Sequence, residues 1–202
     1  MPRLFWAILA LIVLVAAAFV ATTRFGTAEE GAPVVRTLTT KIERLLPRRQ
    51  GAANGGSWRI PVAGVRRAAL YDSWGDAREG GARGHHGLDI PAASGTPVVA
   101  AADGRVEKLF QSTRGGTTIY VRTADPRWVH YYAHLAGYAP GLAEGQAVRA
   151  GQTIGFVGDT GDAGAGNYHL HFGVQRMAPG EGWWQGQDVD PYPMLAGKAA
   201  AR

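Results

Sequence analysis

From Trp58 onward the sequence breaks into short apolar or alternating runs separated by Gly, Asp and Pro. Successive side chains of a strand point to opposite faces, so such a run can bury one face of a sheet while the breaks supply turns. Residues 98–101, 105–110, 117–122, 128–134, 153–157 and 169–175 are therefore expected to be strands. Helical periodicity is nearly absent there, and the abundance of glycine (29 residues) fits a turn-rich chain. The expected fold class is mostly β: a compact antiparallel sheet or sandwich over residues 58–197, ending near Leu195, with a short tail at 198–202.

The first 57 residues read differently. Residues 4–21 are an unbroken apolar run of 18 preceded by Arg3. A helix of that length spans about 27 Å, close to a hydrocarbon core. The run exceeds the usual length of a signal core, which favours a transmembrane anchor. Ala16, Ala17 and Ala18 keep a cleaved signal open. Residues 1–3 would then be a short cytoplasmic tail, with the bulk of the chain outside the membrane. Residues 22–57 form a basic arm, in which Leu38, Ile42, Leu45 and Leu46 suggest a short amphipathic helix, and a Gly-rich linker at 51–57.

Charge follows the same division. Seven Lys/Arg and three acids in residues 1–50 leave +4, and fourteen and thirteen in residues 51–202 leave +1. A nearly neutral main domain argues against nucleic acid as its ligand. A basic arm beside a membrane is more simply a stalk near its surface. Cysteine is absent, so any bound metal must be held by His, Asp or Glu.

All six histidines lie between positions 85 and 171. Strand parity puts His85, Gly87 and Asp89 on one face, and His86, Leu88 and Ile90 on the other, which reads as a core face. His169 and His171 share a face, with Leu170 and Phe172 turned inward. Imidazole and carboxylate groups from two paired strands could thus converge on one cation. Three protein ligands and an open fourth position is the catalytic pattern for zinc. Parity alone does not decide between His169 and His171. His86 is expected to pack or to support the site without being a ligand. His130 lies four residues, about 13 Å of strand, from His134 and is expected to be structural or groove-lining. The Gly-rich stretches 76–84 and 159–167 flank these segments and read as groove walls. Trp183 and Trp184 either close the edge of the core, the favoured reading, or stack on substrate.

A resemblance covers residues 60–195. His85-x-Gly87-x-Asp89 is followed by Gly95-Thr96-Pro97-Val98, Asp103-Gly104 and Tyr132-Ala133-His134-Leu135. Then come Gly158-Asp159-Thr160-Gly161, His169-Leu170-His171-Phe172 and Asp190-Pro191-Tyr192. In order and spacing these segments resemble the M23 metallopeptidases of the lysostaphin/LytM type. The resemblance implies Zn2+ held by His85, Asp89 and His171, with His134 and His169 as unliganded catalytic histidines. It implies a LytM-like β domain and hydrolysis of peptidoglycan peptides as an endopeptidase. An upstream Tyr used by some relatives has no counterpart between Tyr71 and His85.

Two other functions compete. One is a non-catalytic member of the fold that binds wall and activates an amidase; such members typically lose metal ligands, which this chain keeps. The other is a scaffold in a cell-envelope complex with a protein partner. In each, the expected location is the cell envelope, anchored in the inner membrane with the β domain in the periplasm or beyond.

Overall fold

The computed structural model describes residues 58–197. The expected transmembrane run, the basic arm with its linker and the tail at 198–202 lie outside the described residues. Among the described residues, no helix is long and apolar enough to cross a membrane.

The alternating runs form strands, and every pairing between them is antiparallel. In chain order they are β1 (Ala77–Arg78), β2 (Arg83–Gly84), β3 (Leu88–Pro91), β4 (Pro97–Val99), β5 (Gly104–Ser112) and β6 (Gly116–Thr123). Then follow β7 (Trp128–Tyr138), β8 (Ala147–Val148), β9 (Thr153–Val157), β10 (His169–Arg176) and β11 (Gln187–Val189). The main sheet runs β11-β10-β7-β6-β5-β8, with β3 added on β10 and β9 bridging β7 and β4. β1 and β2 form a separate two-stranded hairpin. All six expected strands are present. The hairpin, β3, the two-residue β8 and the edge strand β11 are additional to those six, and one short helix, α1 (Tyr192–Ala196), follows them.

One face of the sheet carries the core. Leu170, Phe172 and Val174 of β10, Tyr132 of β7, Ile119 and Val121 of β6, and Leu88 and Ile90 of β3 are all buried in a single cluster. Leu195 of α1 is fully buried against it. The tyrosine hydroxyl of Tyr132 accepts the Ala101 backbone N–H at 2.9 Å, so its polar end is satisfied inside the core.

His130 also lies in this core, fully buried, and neither ring nitrogen has a hydrogen-bond partner. Its ring packs edge-on against Trp58 (4.4 Å between centroids) and Phe172 (5.3 Å). It behaves as an aromatic spacer, which fixes its role as structural. Burial pushes its pKa down to about 3. The unfolded imidazole titrates near 6.5 and takes up a proton that the folded one refuses. Stability is therefore full above about pH 6.5 and falls on acidification, by about 1.4 kcal/mol per pH unit down to the folded pKa. A His130→Phe variant is expected to lose this component. Between pH 7 and 4.5 its unfolding free energy should fall by about 2–3 kcal/mol less than that of the parent chain. Denaturant melts at the two pH values measure the difference, and equal slopes would contradict it.

Candidate metal centre

β10 supplies the middle of the site. Its core-facing residues fix the rotation of the strand, which turns His169 and His171 to the opposite face. β3 pairs beside it with His171 directly opposite Asp89 and Leu170 opposite Ile90. Directly opposed side chains of an antiparallel pair lie about 5 Å apart at Cβ, so an imidazole and a carboxylate in this register are bound to meet.

His85 arrives by another route. β3 begins only at Leu88, so strand parity does not extend back to residues 85 and 86. His85 is held by the turn after the hairpin: its N–H donates to the Asp76 carbonyl (2.9 Å), and its carbonyl accepts from Gly75 N–H (2.8 Å). Its Nδ1–H donates to the Ser73 carbonyl at 2.7 Å. That bond leaves Nε2 as the free lone pair, aimed at the other two donors. His86, expected on the core face, is instead exposed. It stacks on Trp74 at 5.5 Å and approaches Asp188 Oδ2 at 3.0 Å, so it packs at the rim and not in the core.

Three donor atoms form a small triangle. His85 Nε2 lies 2.9 Å from His171 Nδ1. Asp89 Oδ1 is 3.0 Å from each of them. Donors that each approach one ion to about 2 Å must themselves lie about 3 Å apart, so the set fits a single cation of zinc size. Burial pushes the Asp89 carboxyl upward, but hydrogen bonds from His171 and His85 outweigh it and hold the group well below the usual carboxylate range. Burial also holds the His171 imidazole below its ordinary value, against the pull of Asp89. An ionised carboxylate beside a neutral imidazole is the protonation state that a metal requires.

Gly87 is part of the cradle. A Cβ at this position would stand 2.6 Å from His171 Nε2 and 3.0 Å from the Phe172 carbonyl oxygen. Only a residue without a side chain lets the segment between His85 and Asp89 pass under the His171 ring.

His134 and His169 stand beside the triangle. Their rings are 4.8 Å apart, and that of His134 is 5.8 Å from His171. His169 Nε2 lies 3.8 Å from Asp89 Oδ1. Each donates Nδ1–H to a backbone carbonyl at 2.8 Å, His134 to Thr160 and His169 to Asn167. Both therefore carry Nε2 unprotonated when neutral. Burial lowers the His134 pKa, opposed by the Thr160 carbonyl, so the ring is a neutral acceptor near pH 7.

Parity alone would have turned His134 into the core with His130. A bulge prevents this. Between Ile119↔Tyr132 and Thr117↔Leu135, two residues of β7 oppose one of β6. His134 itself has φ +59, the one non-glycine positive φ among the described residues. Bulges and left-handed residues of this kind re-aim side chains and gather at functional sites.

Several supporting residues carry no clear sequence signal. Ser73 accepts from His85 through its carbonyl and from the Asp89 N–H through Oγ (3.0 Å). Arg78 pairs with Asp89 Oδ2. Thr160, within the Gly158–Gly161 match, anchors the bulge as well as His134: its Oγ1 donates to the Leu135 carbonyl (2.9 Å) and accepts from Thr117 N–H (3.0 Å). The two expected groove walls differ. Stretch 76–84 is not a plain loop but holds the β1–β2 hairpin, whereas 159–167 is a run of turns tied by Asp159 to Gly166 N–H (2.8 Å). Trp183 packs on Tyr120 and Phe110, while Trp184 is 63% exposed.

Known proteins resemble this chain. Peptidase family M23 matches residues 83–191. The L-Ala--D-Glu endopeptidase of Bacillus subtilis is 41% identical over 138 residues, 65% of this chain and 41% of that protein. The murein hydrolase activator NlpD of Salmonella dublin is 29% identical over 164 residues, 81% of this chain and 38% of that protein. The chain thus spans less than half the length of either relative. Among solved structures, the catalytic domain of lysostaphin from Staphylococcus simulans superposes with a TM-score of 0.51 at 31% identity, covering 61% of this chain and 88% of that one. A family match over more than half of the sequence, carried on the same antiparallel sheet, leaves one conclusion: the chain belongs to peptidase family M23.

Proposed function

We propose that this chain is a zinc endopeptidase that hydrolyses peptide cross-links of bacterial peptidoglycan. The observation that carries the reading is the triangle of His85, Asp89 and His171 with two further imidazoles presenting free Nε2 atoms beside it. A zinc ion held there would acidify a water and polarise a peptide carbonyl. One carboxylate and two neutral imidazoles leave such a centre net positive, which favours an anion developing beside it. His134 and His169 supply the proton chemistry. One takes the proton of the attacking water at Nε2. The other, once protonated, hydrogen-bonds the oxyanion or protonates the departing amine.

The likeness to NlpD supports a second reading, a wall-binding activator without hydrolysis of its own. The retained donor set favours the enzyme. The substrate is immobile wall, so a tether through residues 4–21 would place the domain against it, in the cell envelope. Zinc analysis and mass spectrometry of purified wall digested by the chain separate the readings. The enzyme is expected to bind about one zinc. It should release cleaved stem peptides, and a chelator should stop it. Intact cross-links left by the zinc-loaded chain, with faster turnover of a wall amidase in its presence, would establish the activator instead.

A further inference from the structure

The two oxygens of Asp89 face different partners. Oδ1 belongs to the triangle, 3.0 Å from His85 Nε2 and 3.0 Å from His171 Nδ1. Oδ2 is engaged by Nη2 of Arg78 in an ion pair. A carboxylate can give a metal one oxygen or both. If Asp89 gave both, it would fill the coordination position that a catalytic centre must keep for water or substrate.

We propose that Arg78 is a positioning residue: by holding Oδ2, it confines Asp89 to one-oxygen ligation and keeps the fourth position of the metal open. The inference rests on the three donors being a metal site, as proposed above. The fold supplies a device for the purpose. Arg78 sits on β1, opposite Arg83 of β2, in the hairpin that runs directly into His85. Gly80 and Gly81, at φ 68 and 96, let the chain reverse between the two strands. The hairpin thus delivers one ligand from its far end and the cation that disciplines another from its near strand. The Asp89 side chain is only 20% exposed and that of Arg78 37%, so the pair is not a fully solvated surface contact. Arg78 Nε is buried without a partner among the described residues, so the guanidinium is not placed to satisfy its own donors. Its fixed planar fork suits the task better than a flexible ammonium.

The probe is Co2+, whose visible absorption is intense at four-coordinate sites and weak at higher coordination. The full chain is loaded with one equivalent, and its spectrum is compared with those of Arg78→Met and Arg78→Lys. Arg78→Met is expected to lose about half or more of the band intensity at full occupancy, as the freed carboxylate takes a second bond. Arg78→Lys, which retains a cation for Oδ2, should keep most of it. Should Arg78→Met fail to fold, Arg78→Gln, polar and planar but uncharged, is read in its place. An unchanged spectrum in the uncharged variant overturns the role of Arg78 while leaving the metal site intact. Failure of the parent chain to take up cobalt overturns the metal site itself, a different result.

Discussion

A His171→Ala variant is expected to lose metal and hydrolysis together. Protein zinc sites with a full ligand set are worth about 10–16 kcal/mol, so one donor of three accounts for roughly 3–5 kcal/mol, or two to four powers of ten in affinity. His169 does not stand in for it: its Nε2 lies 3.8 Å from the shared Asp89 oxygen, outside the 3.0 Å triangle, and its ring packs against that of His134. Removing His171 also deprives Asp89 of a hydrogen bond that holds its carboxyl ionised. Wall cleavage should fall by at least about a thousandfold, with zinc content below a tenth of the parent's after dialysis. His86→Ala is the matched control. That residue lies one position from His85 yet stays exposed at the rim, so both measurements should be unchanged. A His171→Ala protein that kept its zinc and its cleavage would remove the basis for the proposed function.

The sheet was legible because alternation is a local signal. The face of β10 is set by Leu170, Phe172 and Val174, each of them buried, and the same pattern recurs on β6. What could not be read was where a strand starts and which short pieces pair. The Gly80-Gly81 stretch has the composition of a plain loop, yet it turns a hairpin whose strands are two residues each. Two-residue strands carry no period, so nothing in the sequence marks them. The same limit misplaces His86: parity does not reach back into a segment that becomes a strand only at Leu88.

The site divides along similar lines. Alternation puts Asp89 on the site face but leaves His169 and His171 equivalent; the register that sets His171 opposite Asp89 belongs to the structure. His85 reaches the triangle for a reason parity does not contain, namely the turn bonded to Asp76, Gly75 and Ser73. Arg78 was invisible, because a lone arginine in a polar loop has no pattern. His134 is the sharpest case. Its neighbours His130 and Tyr132 point into the core, and only the bulge and the left-handed backbone at His134 reverse the direction. Its motif neighbours pointed to it through resemblance, whereas periodicity would have buried it.

His134 and His169 lead to the second large effect. His134→Asn and His169→Ala are each expected to lower the rate of cleavage by about two to four powers of ten while leaving zinc bound. Neither ring belongs to the triangle, so the metal keeps its three donors. Asn is chosen at position 134 because it tolerates a left-handed backbone better than Ala, which keeps the bulge and limits the loss to the imidazole. The two rings lie 4.8 Å apart and serve one proton and one oxyanion, so their contributions should not add. The double variant is expected to be little slower than the slower single one. Losses that multiplied would mean that the rings act in separate steps. Zinc lost along with activity in either single variant would make that residue part of metal binding and not of proton transfer. Full activity in either would remove it from the chemistry altogether.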